Sequence, residues 1–281
     1  MIKGLGTALI TPFKADKSVD YDALARLLGT QLTGAVDYIV VLGTTGEAAT
    51  MTEKEKREVR TFIRQYVNGR LPLVLGVGGN NTAAVCENLK TIDLTGFEAI
   101  LSVCPYYNKP NQEGLFQHFR AVAEASPIPV ILYNVPGRTG VNLLPETVMR
   151  IYEAQPKKIL GIKEASGNLE QIKHLIGLAK GKLMVISGDD GIACEVMETG
   201  GAGLISVASN AFPEDFYDIV HKKDQAKQAQ YEQMVKLLFK EGNPAGIKAV
   251  LAQKGIIQNY LRLPLVPASA VLQEDIQKEL A

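Results

Sequence analysis

Eight short apolar runs recur along the 281-residue chain at intervals of about 20 to 35 residues. They are Gly4–Ile10, Tyr38–Leu42, Leu73–Leu75, Ala99–Val103, Pro129–Leu132, Ile159–Ile162, Leu183–Ile186 and Gly203–Val207. Near-continuous hydrophobic runs of this length suit strands buried on both faces, as in parallel sheets covered by helices. The stretches between them carry helix signals. Thr52-Glu53-Lys54-Glu55 reads as a capping box, and helices are expected to begin near Val19-Asp20-Tyr21-Asp22 and Asn111-Gln112-Glu113-Gly114. Eight evenly spaced strand–helix units predict an α/β fold of the (β/α)8 TIM-barrel class rather than an open doubly wound sheet.

From about Asp224 the strand-like runs stop. Gln225–Glu241, Pro244–Lys254 and Ala268–Leu280 have helical periodicity, interrupted at Leu263-Pro264-Leu265-Val266-Pro267. The expected organisation is a catalytic barrel over residues 1–223 and a helical region over residues 224–281, docked on the barrel because no low-complexity linker separates them.

Composition excludes several functions. Thirty basic residues balance thirty acidic ones, which gives no electrostatic footprint for nucleic acid. Cys86, Cys104 and Cys194 are far apart and form no C-x-x-C pair, and the three histidines show no metal-ligand spacing. No apolar run approaches membrane-spanning length, and the N-terminal residues lack a signal-peptide core. The expectation is a soluble cytoplasmic protein with reduced thiols and no protein-bound catalytic metal.

Polar residues gather where the runs end. Thr44 and Thr45 follow the second, Tyr107 follows the fourth, and Tyr133 and Arg138 follow the fifth; Lys163 closes the sixth. In a parallel barrel these ends share one mouth. Alternation puts Ile159, Gly161 and Lys163 on one strand face, so a glycine beside the lysine is expected to leave room for a ligand. A desolvated lysine at such a place is an amine nucleophile for carbonyl carbons, and phenols and hydroxyls relay protons without adding a competing charge. Thr45 and neighbouring amides can hold a carboxylate, and Gly188 removes a side chain where a substrate would sit. Each residue taken singly has an ordinary explanation: a snorkelling lysine, a core tyrosine, a turn, a solvated arginine. Gly76-Val77-Gly78-Gly79 suggests a phosphate loop, but Asn81 stands where the last glycine of that pattern belongs. As a set around one lysine, the strand-end residues favour catalysis.

Gly43-Thr44-Thr45-Gly46-Glu47, Tyr133-Asn134-Val135-Pro136-Gly137-Arg138-Thr139-Gly140 and Gly161-Ile162-Lys163-Glu164-Ala165-Ser166-Gly167 resemble the motifs of the dihydrodipicolinate synthase / N-acetylneuraminate lyase family, and the resemblance runs through essentially the whole chain. It implies condensation of pyruvate with aspartate-4-semialdehyde through a Schiff base at Lys163, with neither metal nor organic cofactor. Tyr133 would relay protons through Thr44 to Tyr107 of a neighbouring subunit. Thr45 would hold the pyruvate carboxylate in a pocket shaped by Gly188 and Ile205, and Arg138 would bind the carboxylate of the semialdehyde. The implied assembly is a homotetramer, a dimer of tight dimers. Two alternatives stay open: a sibling aldolase cleaving sialic acid or a 2-keto-3-deoxy sugar acid, against which Arg138 argues, and a barrel that binds a keto acid without catalysis. Lysine-inhibited family members carry a regulatory pocket. Asn80 and Tyr106 match it, whereas Ala48, Glu53, Lys56 and Ala84 replace a hydroxyl, two imidazoles and a carboxylate. Lys56 would repel a cationic ligand, although Glu53 can compensate for the missing carboxylate, and weak or absent inhibition by lysine is expected.

Overall fold

In the computed structural model, which describes residues 2–281, each of the eight apolar runs is a strand. The strands are β1 (Gly4–Ala8), β2 (Tyr38–Val41), β3 (Leu73–Gly76), β4 (Ala99–Val103), β5 (Val130–Asn134), β6 (Ile159–Glu164), β7 (Met184–Ser187) and β8 (Gly203–Ser206). They form a closed barrel in chain order, and every described pairing between them is parallel. Helices alternate with the strands: α1 (Tyr21–Thr33), α2 (Glu53–Val67), α3 (Thr82–Thr91), α4 (Gln112–Ala125), α5 (Pro136–Thr139), α6 (Pro145–Ala154), α7 (Leu169–Ala179), α8 (Ala193–Glu198) and α9 (Pro213–Lys222). Three more follow, α10 (Gln225–Phe239), α11 (Ala245–Gln253) and α12 (Ala270–Leu280). Among the described residues no helix is long and apolar enough to cross a membrane.

The expected helix starts are capped by the residues named for them. The Asp20 carboxylate accepts from Ala23 N at 3.0 Å and Asn111 Oδ1 from Gly114 N at 2.9 Å. Thr52 and Glu55 close a reciprocal capping box, with Thr52 N donating to Glu55 Oε2 at 2.9 Å. Each interaction satisfies amides that the first helical turn leaves without partners.

Two strand details differ from the alternation argument. Val130 pairs with Ile159 but Ile131 pairs with Gly161, so Leu160 is an extra, bulged residue. Regular alternation therefore starts at Gly161, and Ile159 is not tied to the face of Lys163. Gly161 also does not open space for a ligand. A Cβ there would stand 2.7 Å from the Met184 carbonyl oxygen and 2.9 Å from Met184 Cβ. The missing side chain lets β7 approach β6.

Contacts within the chain gather into two compact units, Met1–Pro72 with Ser206–Ala281, and Leu73–Ile205. The first contains β1, β2 and the three C-terminal helices; α10 packs against α9, α11 and α12. The second contains β3 to β7 and most of β8, and its core includes Leu75, Ile100, Leu132, Ile162 and Ile186, all fully buried.

Candidate active site

In the unit Leu73–Ile205, Tyr133 and Lys163 are directly paired across β5 and β6. Both are part of their strands, because β5 runs on to Asn134 and β6 to Glu164. Lys163 is 6% exposed, and its Nζ lies 4.5 Å from the centroid of the Tyr133 ring. A lysine usually carries its amine to water, so a lysine buried beside a phenol face is an unusual placement. Gly188, just past β7, makes it sterically feasible. A Cβ on Gly188 would stand 2.8 Å from Lys163 Cε and 2.6 Å from Ala165 Cβ. The glycine expected to leave room for substrate thus leaves room for the lysine stem. Ile205 is 1% exposed on β8 of the same unit.

The residues after Tyr133 and Lys163 face the other side of their strands and hold a polar web that sequence reasoning missed. Glu164 is fully buried and accepts from Ser166 N at 2.8 Å, Asn134 Nδ2 at 2.9 Å and Gln171 Nε2 at 3.2 Å. Burial raises its carboxyl above the ordinary glutamate range, and the three hydrogen bonds pull the other way. Asn134 also donates to Asn142 Oδ1 at 2.8 Å and accepts from Leu143 N at 2.9 Å, which pins the segment that follows α5. Arg138 sits on α5, exposed. The web therefore braces the end of the lysine strand and the Asn142–Leu143 segment that follows the turn carrying Arg138. A polar residue next to each motif landmark, in an otherwise apolar strand, was the available signal. Cys104 is fully buried, and burial, then the charge of Glu164, pushes its thiol well above the usual range.

Tyr107 is 89% exposed and in the left-handed backbone region at φ 72°. Its exposure contrasts with the burial of Lys163 and Tyr133. Asn80 and Tyr106 do meet: Asn80 Nδ2 donates to the Tyr106 carbonyl at 3.1 Å, and Asn108 Nδ2 donates to the Asn80 carbonyl at 2.9 Å. Ala84 is exposed on α3.

In the unit Met1–Pro72 with Ser206–Ala281, Thr44 and Thr45 form a 3-10 turn with Gly46 directly beyond β2. Thr44 is exposed and Thr45 is 4% exposed. Thr45 Oγ1 accepts from Asn243 Nδ2 at 2.8 Å. Glu47 closes the turn at φ 54°, and its carboxylate forms an ion pair with Lys248 of α11 in which both side chains are 0% exposed. Asn243 and Lys248 were not singled out from the sequence, since nothing local links them to residues about 200 positions earlier. Lys56 pairs with Glu53 at 2.8 Å, one helical turn apart on α2, while Ala48 follows in a second 3-10 turn.

The Dihydrodipicolinate synthetase family matches residues 1–281, the full length of the chain. A 4-hydroxy-tetrahydrodipicolinate synthase from Parabacteroides distasonis is 49% identical over 286 aligned residues, covering 99% of this chain and 96% of the relative. A crystal structure of dihydrodipicolinate synthase from Thermotoga maritima superposes with a TM-score of 0.96 at 39% identity, covering 100% of this chain and 98% of that one. The chloride-inhibited dihydrodipicolinate synthase from Acinetobacter baumannii, solved with pyruvate, gives a TM-score of 0.95 at 38% identity, with 100% and 98% covered.

Proposed function

The chain belongs to the Dihydrodipicolinate synthetase family, and from that premise we propose that it condenses pyruvate with aspartate-4-semialdehyde to 4-hydroxy-tetrahydrodipicolinate, at the entry to the diaminopimelate route to lysine. The observation that carries the reading is the buried Lys163 amine lying against the ring of Tyr133. Lys163 attacks the carbonyl carbon of pyruvate, and loss of water gives an imine. Tyr133 supplies and withdraws the protons of that exchange. The imine carbon is an electron sink, so removal of a methyl proton gives an enamine without a free carbanion. The enamine carbon adds to the aldehyde. The amino group of the former semialdehyde then displaces Lys163 as the ring closes, which regenerates the free amine. The electron pair is accepted by the imine itself, so no cofactor takes part.

Thr45 holds the pyruvate carboxylate, with Gly188 and Ile205 shaping that pocket. Thr44 links Tyr133 to Tyr107, which reaches the site from a neighbouring subunit. The 89% exposure of Tyr107 in the single chain supports that role. Arg138, exposed on the helical turn α5, binds the semialdehyde carboxylate. The assembly is a homotetramer built from tight dimers. Residues 1–223 constitute the catalytic barrel, and residues 224–281 an appendage docked on it. The enzyme works in the cytoplasm, in keeping with Cys86, Cys104 and Cys194 forming no disulfide. Lysine inhibits it weakly or not at all.

The test is borohydride reduction in the presence of pyruvate, read by intact mass. Wild type is expected to carry one pyruvate-derived adduct per chain and Lys163→Ala none, with turnover in a coupled assay reduced by several orders of magnitude. An adduct that survives Lys163→Ala ends the proposal.

A further inference from the structure

The C-terminal region reaches the Thr44–Thr45 turn through two buried cross-links. The first is the hydrogen bond from Asn243 Nδ2 to Thr45 Oγ1 at 2.8 Å; Asn243 itself is 6% exposed. The second is the ion pair of Glu47 with Lys248. On the turn these anchors are two residues apart. On the other side they bracket the start of α11, where Lys248 N bonds to the Pro244 carbonyl at 3.0 Å.

The ion pair is itself held in place. Lys248 Nζ donates to the Tyr260 carbonyl at 3.0 Å and lies 4.3 Å from the centroid of the Phe13 ring. The second oxygen of Glu47 accepts from Arg262 N at 3.1 Å. The Arg262 guanidinium lies 4.4 Å from the same Phe13 centroid and bonds to both oxygens of Glu55. A buried ion pair adds little net stability compared with apolar residues of the same shape, so its use is better sought in placement than in stability. Here it fixes Glu47 in a left-handed conformation that a β-carbon disfavours, directly beyond the two threonines.

The chemistry of the Asn243 bond gives that placement a purpose. A threonine hydroxyl has one proton and two acceptor lone pairs. An amide N–H aimed at the oxygen occupies a lone pair, which leaves the proton for another partner. A hydroxyl that holds a carboxylate must donate. We propose that Asn243, set in place by the Lys248–Glu47 pair, is a positioning residue that directs the Thr45 hydroxyl proton to the carboxylate of pyruvate. The inference rests on the reading of Thr45 as the holder of that carboxylate. It makes the C-terminal helical region a working part of the pyruvate site.

A double-mutant cycle on the full-length enzyme separates the two ideas. The quantity read is the pyruvate concentration that gives half-maximal borohydride trapping at Lys163, alongside KM for each substrate. Thr45→Ala and Asn243→Ala are each expected to raise it about tenfold, with KM for the semialdehyde little changed. Asn243→Ala in the Thr45→Ala background is expected to add less than about twofold, because the bond it removes has already gone. Lys248→Met alone strands a buried carboxylate and endangers folding, so Glu47→Gln with Lys248→Met removes both charges together. That pair is expected to stay folded and to raise the pyruvate requirement several-fold. If Thr45→Ala raises the requirement but Asn243→Ala leaves it unchanged, or adds its full effect in the Thr45→Ala background, the positioning role is overturned. An unchanged requirement in the folded Glu47→Gln, Lys248→Met enzyme overturns the part assigned to the ion pair. If Thr45→Ala itself has no effect, the carboxylate reading falls and the inference falls with it.

Discussion

Tyr133 and Lys163 occupy partner positions in the register of β5 and β6, and the lysine Nζ rests 4.5 Å from the tyrosine ring centroid. The ring packs against the lysine, and the role proposed for the hydroxyl, moving protons, is separable from that packing. Tyr133→Phe keeps the first and removes the second. Turnover is expected to fall by about 10² to 10⁴-fold, the usual loss for a general acid–base group. The thermal midpoint is expected to stay within a few degrees, and pyruvate is still trapped by borohydride, but more slowly. Stopped time points of the trapping reaction, read by mass, check this. Adduct formation at the wild-type rate would show that the hydroxyl is not needed for imine formation.

Gly188 offers a sharper steric test. A single methyl there meets Lys163 Cε at 2.8 Å and Ala165 Cβ at 2.6 Å, both closer than real Cβ contacts. The stem of the lysine has to swing, since Ala165 is fixed by its backbone bond to the Asn134 carbonyl at 2.9 Å. Gly188→Ala is expected to cost about 1–3 kcal/mol of stability, as overpacking does, and to lower the yield of pyruvate adduct by more than tenfold. Parallel measurement of urea unfolding and adduct yield distinguishes a displaced amine from a lost fold.

What could be read from the sequence divides along the range of the interactions. The eight strands were legible because a strand buried on both faces must be apolar along its length, and the capped helix starts because caps are local. Lys163 and Tyr133 stood out because they end such runs. Leu160 did not announce itself as a bulge, since a bulge is a property of two strands in register. Gly161 was misread for the same reason: its neighbour Met184 is known only once β6 and β7 are paired. Glu164 and Asn134 lie inside the motifs but take their meaning from Gln171 and Asn142, which converge from other elements. Asn243 lies 198 residues from Thr45 and is joined to it only by the folding of the chain.

Two groups with large downward shifts, His118 and Glu55, contribute to the loss of stability in acid. His118 on α4 is 3% exposed, with Nδ1 2.9 Å from Thr82 Oγ1, and burial pulls its pKa down from 6.5 to about 4. The unfolded chain takes up the proton between those values, so stability drops as the pH falls from 6.5 toward 4, by up to about 1.4 kcal/mol per pH unit. Glu55 is shifted down from 4.5 to about 2, first by its hydrogen bonds to Arg262. Its contribution is complete above pH 4.5 and is lost as the pH falls from there toward 2. Urea unfolding from pH 7 to 3 should show both phases. His118→Gln is expected to flatten the upper phase, and Arg262→Met the lower. An unchanged slope between pH 6.5 and 4 in His118→Gln would remove the histidine from this account.

Weak or absent feedback by lysine is expected from the residue types at the positions matched to the regulatory pocket. A lysine ligand brings an ammonium and needs carboxylates or carbonyls to receive it. Ala84 provides none, and its position on α3 is exposed. Glu53, the carboxylate that can compensate, is already paired with Lys56 at 2.8 Å, so its charge is largely spent within α2. A further cation brought near that pair gains little in water-exposed surroundings, where screening is strong. Half-inhibition by L-lysine is therefore expected only above about 1 mM, an affinity of about −4 kcal/mol or weaker. Lys56→Ala frees Glu53 and removes the like charge, and it is expected to lower the half-inhibitory concentration. Initial rates at saturating pyruvate over a lysine series measure both. A sub-millimolar inhibition constant for the wild type, or no change in Lys56→Ala, would show that the Glu53–Lys56 pair does not govern the response.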